Sequence, residues 1–468
     1  MKKSKKLLSF ALAALMIAGA TTGCSSNTGT SSATASTDAS AAASSTAGAK
    51  EFFYLNFKPE TADKYKEIAA AYLKEKGVTV KVETAAQNKY EETLRTDMQK
   101  DDAPALFQIN GPVGYQNWKD YCADMTDSKI YSYLTDKNLA VKSDGKVYGV
   151  PYAVEGYGII YNDAIMKKYF ALSNKAVSIS SAADIKNFDT LKKVAEDMTK
   201  NKAALGIQGV FASTSFKKGE DWRWQTHLLN MPLYYEFKDN TASQDVILNG
   251  LNSKEITFKY AANYQNIFDL YLNNSCTDKK LLSNKSVDDS MAEFALGKVA
   301  MVQNGNWAWG QIAKVSGNTV KEDDVKFMPI YTGVSGEESQ GICVGTENYY
   351  AINSKVSADK QKAALDFVDW LFSSATGKKF ATNDLGLIAP FNTFSDSEKP
   401  NDPLAKQVSA ALATGKTVVW TFPAFPGQQF KNDVGSVLLG YVQGQKKWDD
   451  VVTTTKNSWK TEKANIGS

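Results

Sequence analysis

The sequence predicts an α/β protein of two domains, at least one of them built on a parallel sheet, and three observations carry that expectation. The chain has 468 residues, whereas a single hydrophobic core stops growing beyond about 250 to 300. Strand-like and helix-like stretches alternate from residue 52 onward, and the order β, α, β, α, β implies parallel strands joined by right-handed crossovers. No fixed-period repeat is visible, which argues against a solenoid. Hydrophobic residues at 43% and charged residues at 22% exclude a chain that is mostly disordered, collagenous or membrane-embedded.

Each opening element has its own signal. Phe52 to Phe57 is an almost unbroken apolar run, the mark of a strand buried on both faces. Pro59 opens a helical stretch in which Tyr65, Ile68, Ala69, Tyr72 and Leu73 recur at helical spacing until Gly77. Val78, Val80 and Val82 alternate as a second strand, about Asn88 to Lys100 reads as a helix with Tyr90, Leu94 and Met98 on one face, and Ala105 to Ile109 is a third strand. In open sheets of this kind ligands bind outside the carboxyl ends of the strands. That rule puts Asn56, Phe57, Gln108, Ile109 and Asn110 at a ligand-facing edge.

The first 50 residues read as export and tethering. Lys2, Lys3, Lys5 and Lys6 precede an apolar run from Leu7 to Ala20, and small residues then lead to Cys24. This is a signal peptide over residues 1–23, too short to be a permanent span of roughly 20 apolar residues. From Ser25 to Lys50 every residue except Asn27, Asp38 and Lys50 is Ser, Thr, Ala or Gly. Such a segment buries too little to fold, and its ends lie about 25 to 30 Å apart as a flexible coil.

Charge and composition exclude several chemistries. Without the first 23 residues the chain holds 50 basic against 51 acidic residues, a net of −1, so nucleic acid is a poor partner. Neither GxGxxG nor GxxxxGK[ST] occurs, and nucleotide binding has no support. Beyond Cys24 only Cys122, Cys276 and Cys343 remain, with no metal spacing or disulfide framework, and no metal or cofactor is expected. His227 is the only histidine, and it is read as a packed or hydrogen-bonded residue.

Several aromatic groups suggest a binding surface. Asn304-Gly305-Asn306 is a turn that can cap the helix at Trp307. Asp221-Trp222-Arg223-Trp224-Gln225 combines flat rings with planar hydrogen-bonding groups, the combination that sugar hydroxyls require, and is read either as a ligand contact or as a buried aromatic cluster. Glu155 stands inside the apolar run Val150 to Tyr161, where a carboxylate must meet solvent, a partner or a ligand. Trp420 to Pro426, with two prolines, cannot be a regular central strand and is expected to line a cleft or cover a lobe.

Four stretches, in order through the chain, carry a resemblance. They are DGKVYGVPYAVEGYGIIYN from Asp144 to Asn162, MAEFALGKVAMVQNGNWAW from Met291 to Trp309, KAALDFVDWLFSSATGKKF with GLIAP from Gly386 to Pro390, and Phe425 to Trp448 with Gly435, Tyr441 and Gly444. With a signal peptide and a lipobox-like cysteine, they resemble the carbohydrate-binding extracellular solute-binding proteins of bacterial ABC importers, the family that includes maltose-binding protein. Thr21 stands where the lipobox usually has Leu.

The resemblance implies a two-lobed periplasmic-binding-protein-like fold with a ligand cleft and three hinge crossings, near Glu155, Pro329 and Ser374. The N-terminal lobe would comprise residues 51–155 with 329–374, and the C-terminal lobe 156–328 with 375–468. The expected ligand-binding set is Gln108, Asn110, Glu155, Tyr157, Trp222, Trp224, Asn306, Trp307 and Gln429, with Trp307 stacked on a sugar ring and Trp309 in the core. Cys24 would be acylated and residues 24–50 would tether the body to the outer face of the cell membrane. The implied partners are an oligosaccharide and the permease subunits, a monomer is the usual state, and no reaction is catalysed. Two alternatives stay open: the same fold binding a peptide, polyamine or metal complex, and a surface glycoside hydrolase using two carboxylates.

Overall fold

The computed structural model describes residues 49–466 apart from Gln87 and Glu347. The expected signal peptide, Cys24 and nearly all of the tether lie outside the described residues.

The opening strand is buried on both faces, as its composition requires. β1 (Glu51–Asn56) runs parallel to β2 (Thr79–Thr84) and to β3 (Leu106–Ile109). Phe52 and Tyr54 point into one core with Tyr65, Ile68 and Tyr72 of the helix Ala62–Lys76. Phe53 and Leu55 point into another with Tyr90, Leu94, Phe107 and Trp118. Successive side chains of a strand alternate between faces, so an all-apolar strand needs a covered sheet on each side. Gly77 ends the first helix at φ 70°, the left-handed conformation that glycine adopts without steric cost. Leu73, expected on the buried face of that helix, is exposed.

The rest of this sheet comes from distant chain. β4 (Val141–Ser143) and β5 (Lys146–Pro151) form a hairpin, and β11 (Tyr349–Ile352) lies antiparallel between β3 and β5. The strand order is β2-β1-β3-β11-β5-β4.

The second sheet is centred on β6 (Glu155–Asn162). β8 (Val299–Gly305) pairs with one edge of β6, while β9 (Val325–Met328) and β10 (Cys343–Gly345) share the other, all antiparallel to it. β7 (Gly209–Phe211) and the short β12 (Val418–Val419) extend the sheet by parallel pairing to β8 and β10. The expected short strand at Val299 to Val302 continues to Gly305, because Tyr157 to Tyr161 of β6 offer it a partner along its length.

These pairings place the passages between the sheets. The first lies between Pro151 and Glu155. The second falls between Gly345 and Tyr349 rather than near Pro329, because Cys343–Gly345 still pairs with β6. The third falls beyond Phe391 rather than at Ser374. Ser374 ends the helix Ala358–Ser373 and its hydroxyl caps the next one by accepting from the Gly377 N–H. The chain nevertheless stays on the first core, which includes Ala381, Leu387 and Phe391. It reaches the second sheet with the helix Pro403–Thr414, whose Val408 packs on Ile342 and Val344.

Candidate functional site

A cavity of about 870 Å³ lies between elements of the two sheets, within the range of about 300 to 1,000 Å³ usual for small-molecule sites. Phe57, Lys58 and Asn110 come to it from the carboxyl edge of the first sheet, and Trp222, His227 and Trp307 from the second lobe. Phe425 to Gln429 and Lys431 also line it.

The first edge is held by amide side chains. Asn56 donates to the Lys58 carbonyl at 2.9 Å and to the Thr61 and Thr84 hydroxyls at 3.1 Å each, fixing the turn after β1. The Gln108 Oε1 accepts from the Phe57 N–H at 2.8 Å, and Phe57 packs edge-on against Tyr90. Gln108 therefore sits behind the lining and holds Phe57 in place.

Lys58 and Glu155 form an ion pair inside the protein, with the two residues 8% and 4% exposed. The Lys58 ammonium also lies 5.2 Å from the Trp307 ring centre and 5.6 Å from that of Tyr152. Both side chains have lost most of their water, and each faces its opposite charge, with two aromatic faces beside Lys58. Glu155 thus meets both a partner and the cavity that it lines.

On the second lobe a π-helical turn, Arg223–Leu228, sorts the aromatic cluster. Such a turn brings residue i+5 over residue i, and here it sets His227 over Trp222, with the His227 Nδ1 3.4 Å from the Trp222 carbonyl oxygen. Trp222 lines the cavity. Arg223 and Trp224 turn inward instead. The Arg223 guanidinium donates to Gln303 O at 3.1 Å and to the Ser215 and Ser290 hydroxyls at 2.7 Å each. Burial lowers its pKa to about 10. Trp224 donates its indole N–H to Ser215 O at 3.0 Å, and Phe268 and Tyr271 pack beside it.

Trp307 is positioned by the glycine before the turn. A Cβ on Gly305 would stand 2.2 Å from atoms of the Trp307 indole, so the ring rests directly on the β8 backbone. Asn306 exchanges two hydrogen bonds of 2.9 Å with Gly156, tying β8 to the start of β6 beside Glu155. Tyr157 is fully buried and donates its hydroxyl to the His227 carbonyl at 2.9 Å.

The remaining lining brings the two lobes close. Gly111 meets Pro423, against which a Cβ would lie at 2.9 Å. The Asn88 amide donates to Asp221 Oδ1 at 3.4 Å, and burial raises the Asp221 pKa. Burial likewise raises the Glu91 pKa, against a Trp118 N–H bond and nearby Lys431 that lower it. Asn348, in the second passage between the sheets, is 1% exposed.

Of the expected site residues, Asn110, Glu155, Trp222, Trp307 and Gln429 line the cavity together. Gln108, Tyr157, Trp224 and Asn306 stand behind it as supports, and Cys24 lies outside the described residues. Phe425 lines the cavity, as a prolyl segment covering a cleft requires. Lys58, Asn348 and the cavity face of His227 were not in the expected set. The strand-end rule pointed to Lys58's neighbour Phe57, but nothing in the sequence marks the pairing of Lys58 with Glu155. Among the described residues no group of three or more His, Cys, Asp or Glu side chains could hold a metal ion, and no helix is long and apolar enough to cross a membrane.

The chain is 28% identical over 288 residues to the maltodextrin-binding protein MdxE of Bacillus subtilis (strain 168). That match spans 60% of this chain and 60% of the length of the relative. A chitin oligosaccharide binding protein superposes with a TM-score of 0.68 at 17% identity, over 89% of this chain and 99% of that one. A sugar transporter of Bacillus licheniformis in complex with stachyose superposes with a TM-score of 0.65 at 17% identity, over 88% and 100%. These likenesses show a shared two-lobed fold. The profile of the bacterial extracellular solute-binding proteins matches residues 67–407, and the chain belongs to that family.

Proposed function

We propose that this protein captures a neutral oligosaccharide in the cavity between its lobes and delivers it to the permease subunits of an ABC importer, without altering it chemically. The observation that carries this reading is the aromatic wall of Trp222 and Trp307, with ring centres 6.1 Å apart, in the same cavity as the amides of Asn110 and Gln429 and the Lys58–Glu155 pair. Pyranose rings present C–H faces to aromatic surfaces and hydroxyls to amides and ionised groups. The names of the relatives, which mention maltodextrin, chitin oligosaccharide and stachyose, support the same class.

Binding would favour the closed arrangement because a ligand touching both lobes has more contacts there, and a ligand shifts an equilibrium only by its differential affinity. The first lobe would comprise residues 51–154 with 346 to about 395, and the second 155–345 with the remainder. The protein would act as a monomeric lipoprotein, acylated at Cys24 and held on the outer face of the cell membrane by residues 24–50. Nucleic acid has no place in this reading.

The test is tryptophan fluorescence of the purified protein against oligosaccharides, peptides and polyamines, followed by chromatography of the recovered ligand. Saturable quenching by one sugar class, with the sugar recovered intact, is expected. A response only to amines, for which Glu60, Glu220 and Asp288 in the lining would be the attraction, would replace the carbohydrate reading. Shortened sugar in the recovered fraction would replace capture with hydrolysis.

A further inference from the structure

The sole histidine of the chain is buried, yet half of its hydrogen-bonding capacity is unused. His227 is 6% exposed and lines the cavity. Its ring packs edge-on against Tyr157, Trp222 and Phe422, with Trp307 5.5 Å away. The Nδ1 faces the Trp222 carbonyl, and a carbonyl oxygen only accepts, so the proton resides on Nδ1 and Nε2 is left as an acceptor. The Nε2 has no partner, and neither has the indole N–H of the adjacent Trp222. A buried polar atom left unpaired is unfavourable, and two such atoms on neighbouring cavity-lining residues ask for an occupant.

We infer that Trp222 Nε1 and His227 Nε2 form a donor–acceptor pair that reads one hydroxyl group of the ligand, making His227 a specificity-determining residue of the site. A hydroxyl is the small group that accepts one hydrogen bond and donates another, so it completes both atoms at once. An ammonium would leave the indole N–H unpaired, and a carboxylate would leave Nε2 unpaired. Burial lowers the His227 pKa to about 3, so the imidazole remains a neutral acceptor at any pH near neutrality. Both nitrogens are buried. The half-buried Trp307 ring stands beside both residues, its centre 6.1 Å from that of Trp222 and 5.5 Å from that of His227. This rests on the capture of a neutral oligosaccharide proposed above.

The test uses the full-length chain without a histidine tag, so that every imidazole signal belongs to His227. Nitrogen NMR of 15N-histidine-labelled protein would be recorded with maltotriose, raffinose and chitotriose, alongside calorimetry. A sugar that binds is expected to shift the unprotonated Nε2 resonance upfield, toward the hydrogen-bonded position, while Nδ1 moves little. His227→Phe should weaken that sugar about tenfold, as loss of one buried hydrogen bond predicts, and His227→Gln should recover part of the loss. Calorimetric binding with an unmoved Nε2 resonance in the native chain would overturn the inference and leave capture standing. Silence from all three sugars in calorimetry would overturn both.

Discussion

The Lys58 ammonium is paired with the Glu155 carboxylate and lies 5.2 Å from the centre of the Trp307 ring. These residues come from the end of β1, the start of β6 and the turn after β8, so one cation joins the first lobe, a passage between lobes and the aromatic wall. Glu155→Ala is expected to remove the nearer of the two carboxylates beside Lys58, Glu60 lying 4.0 Å away, and to cost about 3 kcal/mol of stability. Lys58→Met with Glu155→Gln should cost less than the two single changes combined, and urea unfolding of the three variants would measure the coupling.

Gly305 controls Trp307 through contact. Gly305→Ala places a methyl group where indole atoms stand 2.2 Å away, so the ring must leave its seat. The expected result is a loss of oligosaccharide affinity of about tenfold, comparable to Trp307→Ala, with a stability cost of about 1 to 3 kcal/mol from overpacking. Calorimetry and thermal unfolding of both variants check this; unaltered affinity in Gly305→Ala would place the ligand away from the indole.

The buried imidazole links stability to pH. The folded-state pKa of His227 is about 3, against about 6.5 for an unfolded histidine. The unfolded chain therefore takes up a proton that the folded chain refuses, and stability falls as pH drops from about 6.5 toward 3. The slope is about 1.4 kcal/mol per pH unit, or about 2 kcal/mol lost by pH 5. Comparing the native chain with His227→Phe by urea unfolding isolates this contribution from that of the carboxylates: the variant should lose less stability between pH 7 and pH 5.

Asn88 and Asp221 form a polar contact between the lobes at 3.4 Å. Asn88 has φ 54°, so Asn88→Gly keeps the backbone unstrained while deleting the amide. Ligand dissociation is expected to accelerate about three- to tenfold with little change in association, a split that stopped-flow fluorescence resolves.

The opening of the fold was legible because two periodicities alternate cleanly: the apolar run of β1, the helical spacing of Tyr65, Ile68 and Tyr72, then the valines of β2. The later passages were not. Pro329 follows the last residue of β9 and opens a 14-residue excursion, 329–342, before Cys343–Gly345 rejoins β6, and only strand pairing reveals it. Ser374 carries a sound helix-cap signal, yet the helix that it starts remains on the first core.

The site was legible in part for a similar reason. Motif positions led to Glu155 and Trp307, and the strand-end rule led to Asn110. Trp222 and Trp224 look alike in sequence, and only the π turn decides that one lines the cavity while the other packs inward. Tyr157 and Asn306 hold the site from behind, since their hydrogen-bonding atoms are engaged by His227 and Gly156. The Lys58–Glu155 pair joins residues 97 apart, a distance over which neither spacing nor composition carries a signal.

The most direct measurement is isothermal titration of the purified protein with neutral oligosaccharides, with Trp307→Ala measured beside it. Micromolar or tighter one-to-one binding of one sugar class, weakened about tenfold or more in the variant, is the result expected of an aromatic stacking site between two lobes. Heat released only with polyamines or peptides, or sugar binding that Trp307→Ala leaves intact, would contradict it.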